Sequence, residues 1–167
     1  MLLLTTLAIG CIPTCENHLD CNGEEVCWDG TCMSAFDHDW EVDIVSAEVE
    51  QVAPDGVQWD SDHSPPDLYA DFGLDGGDGC VTSFVPDSFD PVWYESCTFW
   101  IPRHSLFFVD LWDVDGHQDT FATTFEWDGD DAWVELARTA GHEIVYIDPT
   151  GTTLLWMSVW PWPESRW

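Results

Sequence analysis

Apolar residues along this chain come in short runs, each closed by a cluster of Gly, Pro or Asp. Trp40-Glu41-Val42-Asp43-Ile44 alternates apolar with acidic, the period-two signature of a strand with one wet face, while 43–52 also admits a helix. Further strands are expected over 68–73, introduced by Pro65-Pro66, and over 80–85, after the Gly-rich turn at 75–79. Two more are expected over 93–101, after the turn at 87–91, and over 106–112. The last of these is apolar on both faces except at Asp110, which marks a central strand. A sixth strand covers 120–127 and ends at Asp128-Gly129-Asp130-Asp131. A seventh is broken between 133–137 and 143–147, and the last runs over 153–160 after Pro149-Thr150-Gly151. Short strands at regular spacing with turn signals between them predict an all-β sandwich.

Composition adds a core to that pattern. With 45% hydrophobic residues and 12 Trp the chain can bury a sizeable interior, which argues against disorder. A length of 167 residues suits one ordinary domain plus a small appendage. The net charge of −30, from 33 acidic residues against 3 basic ones, excludes nucleic acid as a partner because phosphates find no counter-charge. It disfavours direct docking on anionic lipid for the same reason. Self-repulsion at such a charge destabilises a compact chain, and bound cations would relieve it.

The first ten residues are apolar, too short to span a membrane, and end in Ala8-Ile9-Gly10-Cys11. They read as a signal peptide without the basic n-region. The last four residues resemble a bacterial lipobox. That resemblance implies lipidation of Cys11, and Ile12 in place of an aspartate implies an outer-membrane or cell-surface anchor. An ordinary cleaved signal with Cys11 left free is the alternative. Seven Cys is an odd count, and setting Cys11 aside leaves six for pairing. Cys15, Cys21, Cys27 and Cys32 crowd a segment with little aliphatic core, which needs covalent staples to hold a shape. Their spacing differs from the paired C-x2-C of zinc sites. Cys15–Cys27 with Cys21–Cys32 is one of three possible connectivities. Cys80 and Cys97 remain to bridge two neighbouring strands. The chain thus divides into a signal (1–10), a lipidated Cys with a Cys-rich knob (11–36), a sandwich (37–163) and a tail (164–167). Disulfides place it in an oxidising, extracytoplasmic compartment.

Candidate chemistry sits in two acidic loops, Trp59-Asp60-Ser61-Asp62-His63-Ser64-Pro65-Pro66-Asp67 and Trp112-Asp113-Val114-Asp115-Gly116-His117-Gln118-Asp119. Each follows one apolar run and precedes another. Carboxylates two residues apart at a strand end point to one side and repel unless a cation lies between them. Hard cations with oxygen ligands fit, calcium first, since Ca²⁺ takes about 6–8 oxygens in a tolerant geometry. The competing reading makes these ordinary turn residues. His63 and His117 read as solvated loop residues.

Four stretches then carry a resemblance. Asp67-Leu68-Tyr69 resembles the Asp-Pro-Tyr that opens the second strand of C2 domains, and Asp90-Pro91-Val92-Trp93-Tyr94-Glu95 resembles their Asn-Pro-x-Trp-Asn-Glu. Trp112-Asp113-Val114-Asp115 resembles their third loop, and Asp119-Thr120-Phe121 the Asp-Phe-Ile-Gly that follows. The order holds over 65–125, with weaker similarity from 40 to 160. The resemblance implies an eight-stranded antiparallel C2-like β-sandwich that binds Ca²⁺ between loops at one end, with Asp67, Asp113 and Asp115 matching ligands. Two family ligand positions fall on Ser61 and Thr120. A one-residue adjustment moves them to Asp62 and Asp119, and Asp60 is a further spare.

Other constellations fail on particular residues. An EF-hand from Asp60 would place Pro65 at its obligatory turn, and one from Asp113 would end on Thr124. His142-Glu143 begins a zinc-protease motif whose second histidine is Tyr146. No G-x-S-x-G and no Gly-Lys phosphate loop occurs, so the chain reads as a binding module and not an enzyme; a hydrolase with an acidic site is the weakest alternative. Ca²⁺ is then a structural ion or an adaptor to a partner, either a protein or a surface glycan. Peripheral lipid binding is disfavoured: two or three ions supply about four to six charges and leave the body strongly negative. A metal-independent adhesion or assembly module is the competing function. Trp156 and Trp160 share a strand face, and Trp162 and Trp167 offer aromatic contacts beyond the prolines.

Overall fold

The computed structural model describes residues 14–53, 56–60, 62–115 and 119–162. Cys11, Ser61, His117, Trp167 and the signal region lie outside the described residues. A small hairpin of β1 (Glu25–Trp28) and β2 (Thr31–Ser34) precedes eight longer-range strands. These are β3 (His38–Glu48), β4 (Leu68–Leu74), β5 (Gly79–Val81), β6 (Val92–Ile101), β7 (Leu106–Asp113), β8 (Thr120–Asp128), β9 (Ile144–Ile147) and β10 (Leu154–Pro161). One helix, α1 (Asp130–Ala137), lies between β8 and β9. The eight strands form two antiparallel four-stranded sheets, ordered β6-β3-β10-β9 and β5-β4-β7-β8.

Period-two alternation builds the interior. In β7, Phe107, Val109, Leu111 and Asp113 are buried while Leu106, Phe108, Asp110 and Trp112 are less so. In β3, Trp40, Val42 and Ile44 point inward and Glu41 and Asp43 do not. Aromatic rings join the sheets in a chain of edge and tilted contacts, from Phe72 to Phe99, Phe107, Trp133 and Trp40. Such rings bury the most area per side chain, with truncation costing about 3–5 kcal/mol each.

Several sequence expectations need correction. The stretch 43–52 is not helical: β3 continues to Glu48, held by β6 on one side and β10 on the other. The strand expected over 80–85 ends at Val81, because Thr82 turns its hydroxyl to accept from the Ala70 N–H (2.9 Å) and only Val85 bridges back to Leu68. The region 133–137 is helical. Gly129, at φ +84°, ends β8, and Asp130 and Asp131 then occupy the positive end of the helix. Trp133, Val134, Leu136 and Ala137 are buried on its inner side. A window of five residues cannot separate a period of 2 from one of about 3.6. The seventh strand is therefore Ile144–Ile147 alone. Cys80–Cys97 does not join neighbouring strands: β5 and β6 edge different sheets, so the bond closes the sandwich along one side.

The N-terminal segment carries disulfides Cys15–Cys27 and Cys21–Cys32 and packs on the sandwich. Val26 is fully buried in the common core, and the Ala35 carbonyl accepts from both Trp40 Nε1 (3.1 Å) and Trp133 Nε1 (2.8 Å). Arg138 Nη2 donates to the Gly23 carbonyl (2.8 Å), and Arg103 pairs with Glu24 (2.5 Å). Trp160 packs edge-on against Trp28 and donates to Asp43 (2.9 Å), which places the aromatic end of β10 against this segment. These contacts gather at the end where β3 begins and α1 sits. The acidic loops lie at the other end.

Candidate metal centre

The inward parity of β7 places Asp113, its last residue, at the floor of the loops with no exposure to solvent. Asp113 pairs in register with Leu68 of β4, so the two acidic loops leave neighbouring strands side by side. Two backbone contacts lock them. The Asp67 N–H donates to Asp113 Oδ1 (2.7 Å), and the Val114 N–H donates to the Asp67 carbonyl (3.0 Å). Asp113 Oδ2 is buried and has no hydrogen-bond partner.

Asp115, two residues on, accepts from Thr120 Oγ1 (2.6 Å). Asp60 comes across from the first loop and accepts from Ser64 Oγ (3.2 Å). One carboxylate oxygen from each of Asp60, Asp113 and Asp115 falls within 4.8 Å of the others. Oxygens that share one calcium at about 2.3–2.6 Å each are at most about 5.2 Å apart, so the spacing fits a common ion. Burial pushes the Asp113 carboxyl up to about 6; the Asp67 N–H opposes this, and the charges of Asp60, Asp115 and Asp67 add to it. Burial likewise raises Asp60, against the Ser64 hydrogen bond and with help from Asp115, Asp67 and Asp62. A buried carboxylate that keeps one unpartnered oxygen and is grouped with two other carboxylates is the donor set a hard cation takes, so the residues fit calcium.

The remaining expected ligands lie around this triad. Asp67 borders it through its backbone, and its Oδ1 accepts from the Asp87 N–H (2.7 Å). Asp62 is exposed and held by Ser64 Oγ (2.7 Å), which lowers its carboxyl. Asp119 is exposed and accepts from Tyr69 Oη (3.0 Å). Thr120, where the resemblance places a ligand, touches the site by donating to Asp115. Ser64 went unnoticed in the sequence: it holds both Asp60 and Asp62, and its place two residues after an Asp is the available signal. The other grouping of ligand-type atoms among the described residues, Cys15, Cys21 and Cys32, is committed to disulfides.

No protein-family model matches the chain, and no curated protein matches it by sequence. Solved structures do match. Extended-synaptotagmin 2, in a structure of its paired C2 domains, aligns at a TM-score of 0.60 and 14% identity, covering 75% of this chain and 41% of that one. A C2 domain of plant extended synaptotagmin 1 aligns at 0.53 and 12% identity over 77% of this chain and 98% of that one. Human GIVD cytosolic phospholipase A2 aligns at 0.57 and 18% identity, with 76% of this chain covered. The chain spans only 17% of the phospholipase. At these identities the likeness concerns architecture: the protein is an all-β sandwich with the C2 fold, preceded by a disulfide-rich segment.

Proposed function

We propose that the protein is a calcium-binding C2-like module working in an extracytoplasmic compartment, with Ca²⁺ as a structural ion or an adaptor to a partner. The observation that carries this reading is the convergence of Asp60, Asp113 and Asp115 with a buried, unpartnered oxygen on Asp113. Asp113 and Asp115 bind from the third loop, Asp60 from the first, and Asp67 sets the distance between the loops through its N–H and carbonyl. A bound ion would supply the positive charge this group of carboxylates lacks. Binding free energy then becomes folding free energy, because the same side chains repel without it. One of the matched extended-synaptotagmin 2 structures is described as calcium bound, which supports the choice of ion.

The likeness to C2 domains and the grouping of three carboxylates within reach of one ion support a binding role over an enzymatic one. Three disulfides support the oxidising compartment. No helix among the described residues is long and apolar enough to cross a membrane. The lipid anchor through Cys11 remains part of the proposal, as does a protein or glycan partner. The test is a calcium titration followed by melting temperature, in the native chain and in Asp113→Asn. Stabilisation by calcium in the first and its loss in the second is expected; no stabilisation at millimolar calcium overturns the reading.

A further inference from the structure

The outer face of the β5-β4-β7-β8 sheet carries two cross-strand rows beside the metal loops. Tyr69, Trp112 and Phe121 stand in register across β4, β7 and β8, and the Trp112 and Phe121 rings meet edge-to-face at 5.1 Å. In the next outward row Asp71 faces Asp110 directly, with Val81 on the far side of Asp71. Like charges in facing positions destabilise a sheet. Burial, and then the charge of Asp110, push the Asp71 carboxyl up. Where the rows reach the sheet edge they open a depression of about 290 Å³ lined by Tyr69, Asp71, Val81, Thr82, Phe84 and Val114. Val81 and Phe84 stay 60% and 55% exposed. Both arginines among the described residues, Arg103 and Arg138, are engaged at the opposite end, so neither serves Asp71 and Asp110.

We propose that this depression is a docking groove for an arginine-bearing segment of a partner protein. Charge complementarity selects a cation, and the walls select its form. A bare metal ion would find Asp71 as the one carboxylate lining the depression, beside apolar Val81, Phe84 and Val114. A guanidinium stacks on aromatic faces while pairing with carboxylates, and its aliphatic stem covers apolar surface such as Val81 and Val114. The groove also borders the metal loops: Val114 lies between Asp113 and Asp115, and Tyr69 is held by Asp119. The inference does not rest on calcium binding, since none of its contacts passes through the ion.

The test uses the isotope-labelled full chain with calcium present at physiological salt, where diffuse surface attraction is screened beyond about 8 Å. The probe is a short peptide of alternating arginine and serine, compared with its citrulline counterpart, which keeps the shape and lacks the charge. Saturating amide shifts confined to 69–71, 81–84 and Val114 are expected, absent with citrulline. Asp71→Asn and Phe84→Ala should each weaken binding about five- to tenfold. Asp71→Asn removes a repulsion and so leaves the fold intact, checked by melting. Shifts that never saturate, that spread over the whole acidic surface, or that saturate with unchanged affinity in Asp71→Asn overturn the proposal. So does saturation by a neutral oligosaccharide alone, or the appearance of the same shifts on concentrating the protein by itself, which would assign the face to a glycan or to a second copy.

Discussion

Two buried aspartates stand at the same end of the sandwich and behave in opposite ways. Asp148 closes the turn between β9 and β10 and is 5% exposed. It accepts from the Thr152 N–H (2.7 Å), the Thr153 N–H (3.0 Å), Thr150 Oγ1 (2.6 Å) and Thr123 Oγ1 (3.2 Å). Burial alone would raise its carboxyl, yet these donors together hold it below the usual range. Asp113 has one N–H, one orphaned oxygen and three carboxylate neighbours, and its carboxyl is pushed up. A buried charge with a full set of donors is an architectural part. A buried charge facing its own kind is incomplete, and a cation or a proton would complete it.

The largest expected effect falls on the complete one. Asp148→Ala strands buried backbone N–H groups and should cost about 3 kcal/mol or more. At about 2–4 °C per kcal/mol, melting should fall by roughly 6–12 °C, equally with calcium and with chelator. Calcium sensitivity of that loss would break the contrast between the two residues.

Calcium at a hundred times its dissociation constant should stabilise the native chain by about 2.7 kcal/mol, which calorimetry reads as a rise of roughly 5–10 °C. Asp113→Asn should abolish the rise while Asp148→Ala keeps it. An unchanged rise in the Asn variant would move the ion away from Asp113.

pH separates the two residues by sign. The folded carboxyl of Asp113 lies at about 6, above its ordinary value of 3.8, so without metal the folded state holds the extra proton between those values. Its contribution is therefore greatest at low pH and is lost as pH rises through 6. In chelator, acidification from about pH 7 to 5 should raise stability by on the order of 1 kcal/mol in the native chain and less in Asp113→Asn. Asp148 has a lowered carboxyl, so its contribution is present above the ordinary carboxylate range and is lost only as pH falls through its folded value. It adds no slope in the tested window. Melting curves across pH in both variants check this.

The smallest effect belongs to Ser64. Ser64→Ala removes the hydroxyl shared by Asp60 and Asp62 and should weaken calcium binding a few-fold, from a loss of about 0.5–1.5 kcal/mol of positioning. Calorimetric titration measures it. No change in affinity would mean that Asp60 is placed by its backbone alone.

Much of the architecture was legible in order. The alternation in 40–44 and the two-faced apolar run at 106–112 announced a strand with one wet face and a central one, and β3 and β7 follow. The pair Asp113 and Asp115 was legible because residues two apart at a strand end share a side. What escaped depended on short windows or on distance. Five residues at 133–137 carried no decisive period. The sequence put Asp62 ahead of Asp60, which it kept as a spare, and only the path of the first loop turns Asp60 toward Asp113 while Ser64 also binds the exposed Asp62.

By itself the sequence determined the alternation that makes two-sided strands, the turns that part them, and a surplus of carboxylates that repel. These are local properties, carried by side-chain period, backbone preference and charge. Only the tertiary structure decided that the Cys80–Cys97 bond crosses from one sheet to the other, and that Asp148 meets its donors while Asp113 meets other acids. Each of those outcomes depends on which segments packing brings together from far apart in the chain, and no local preference specifies that.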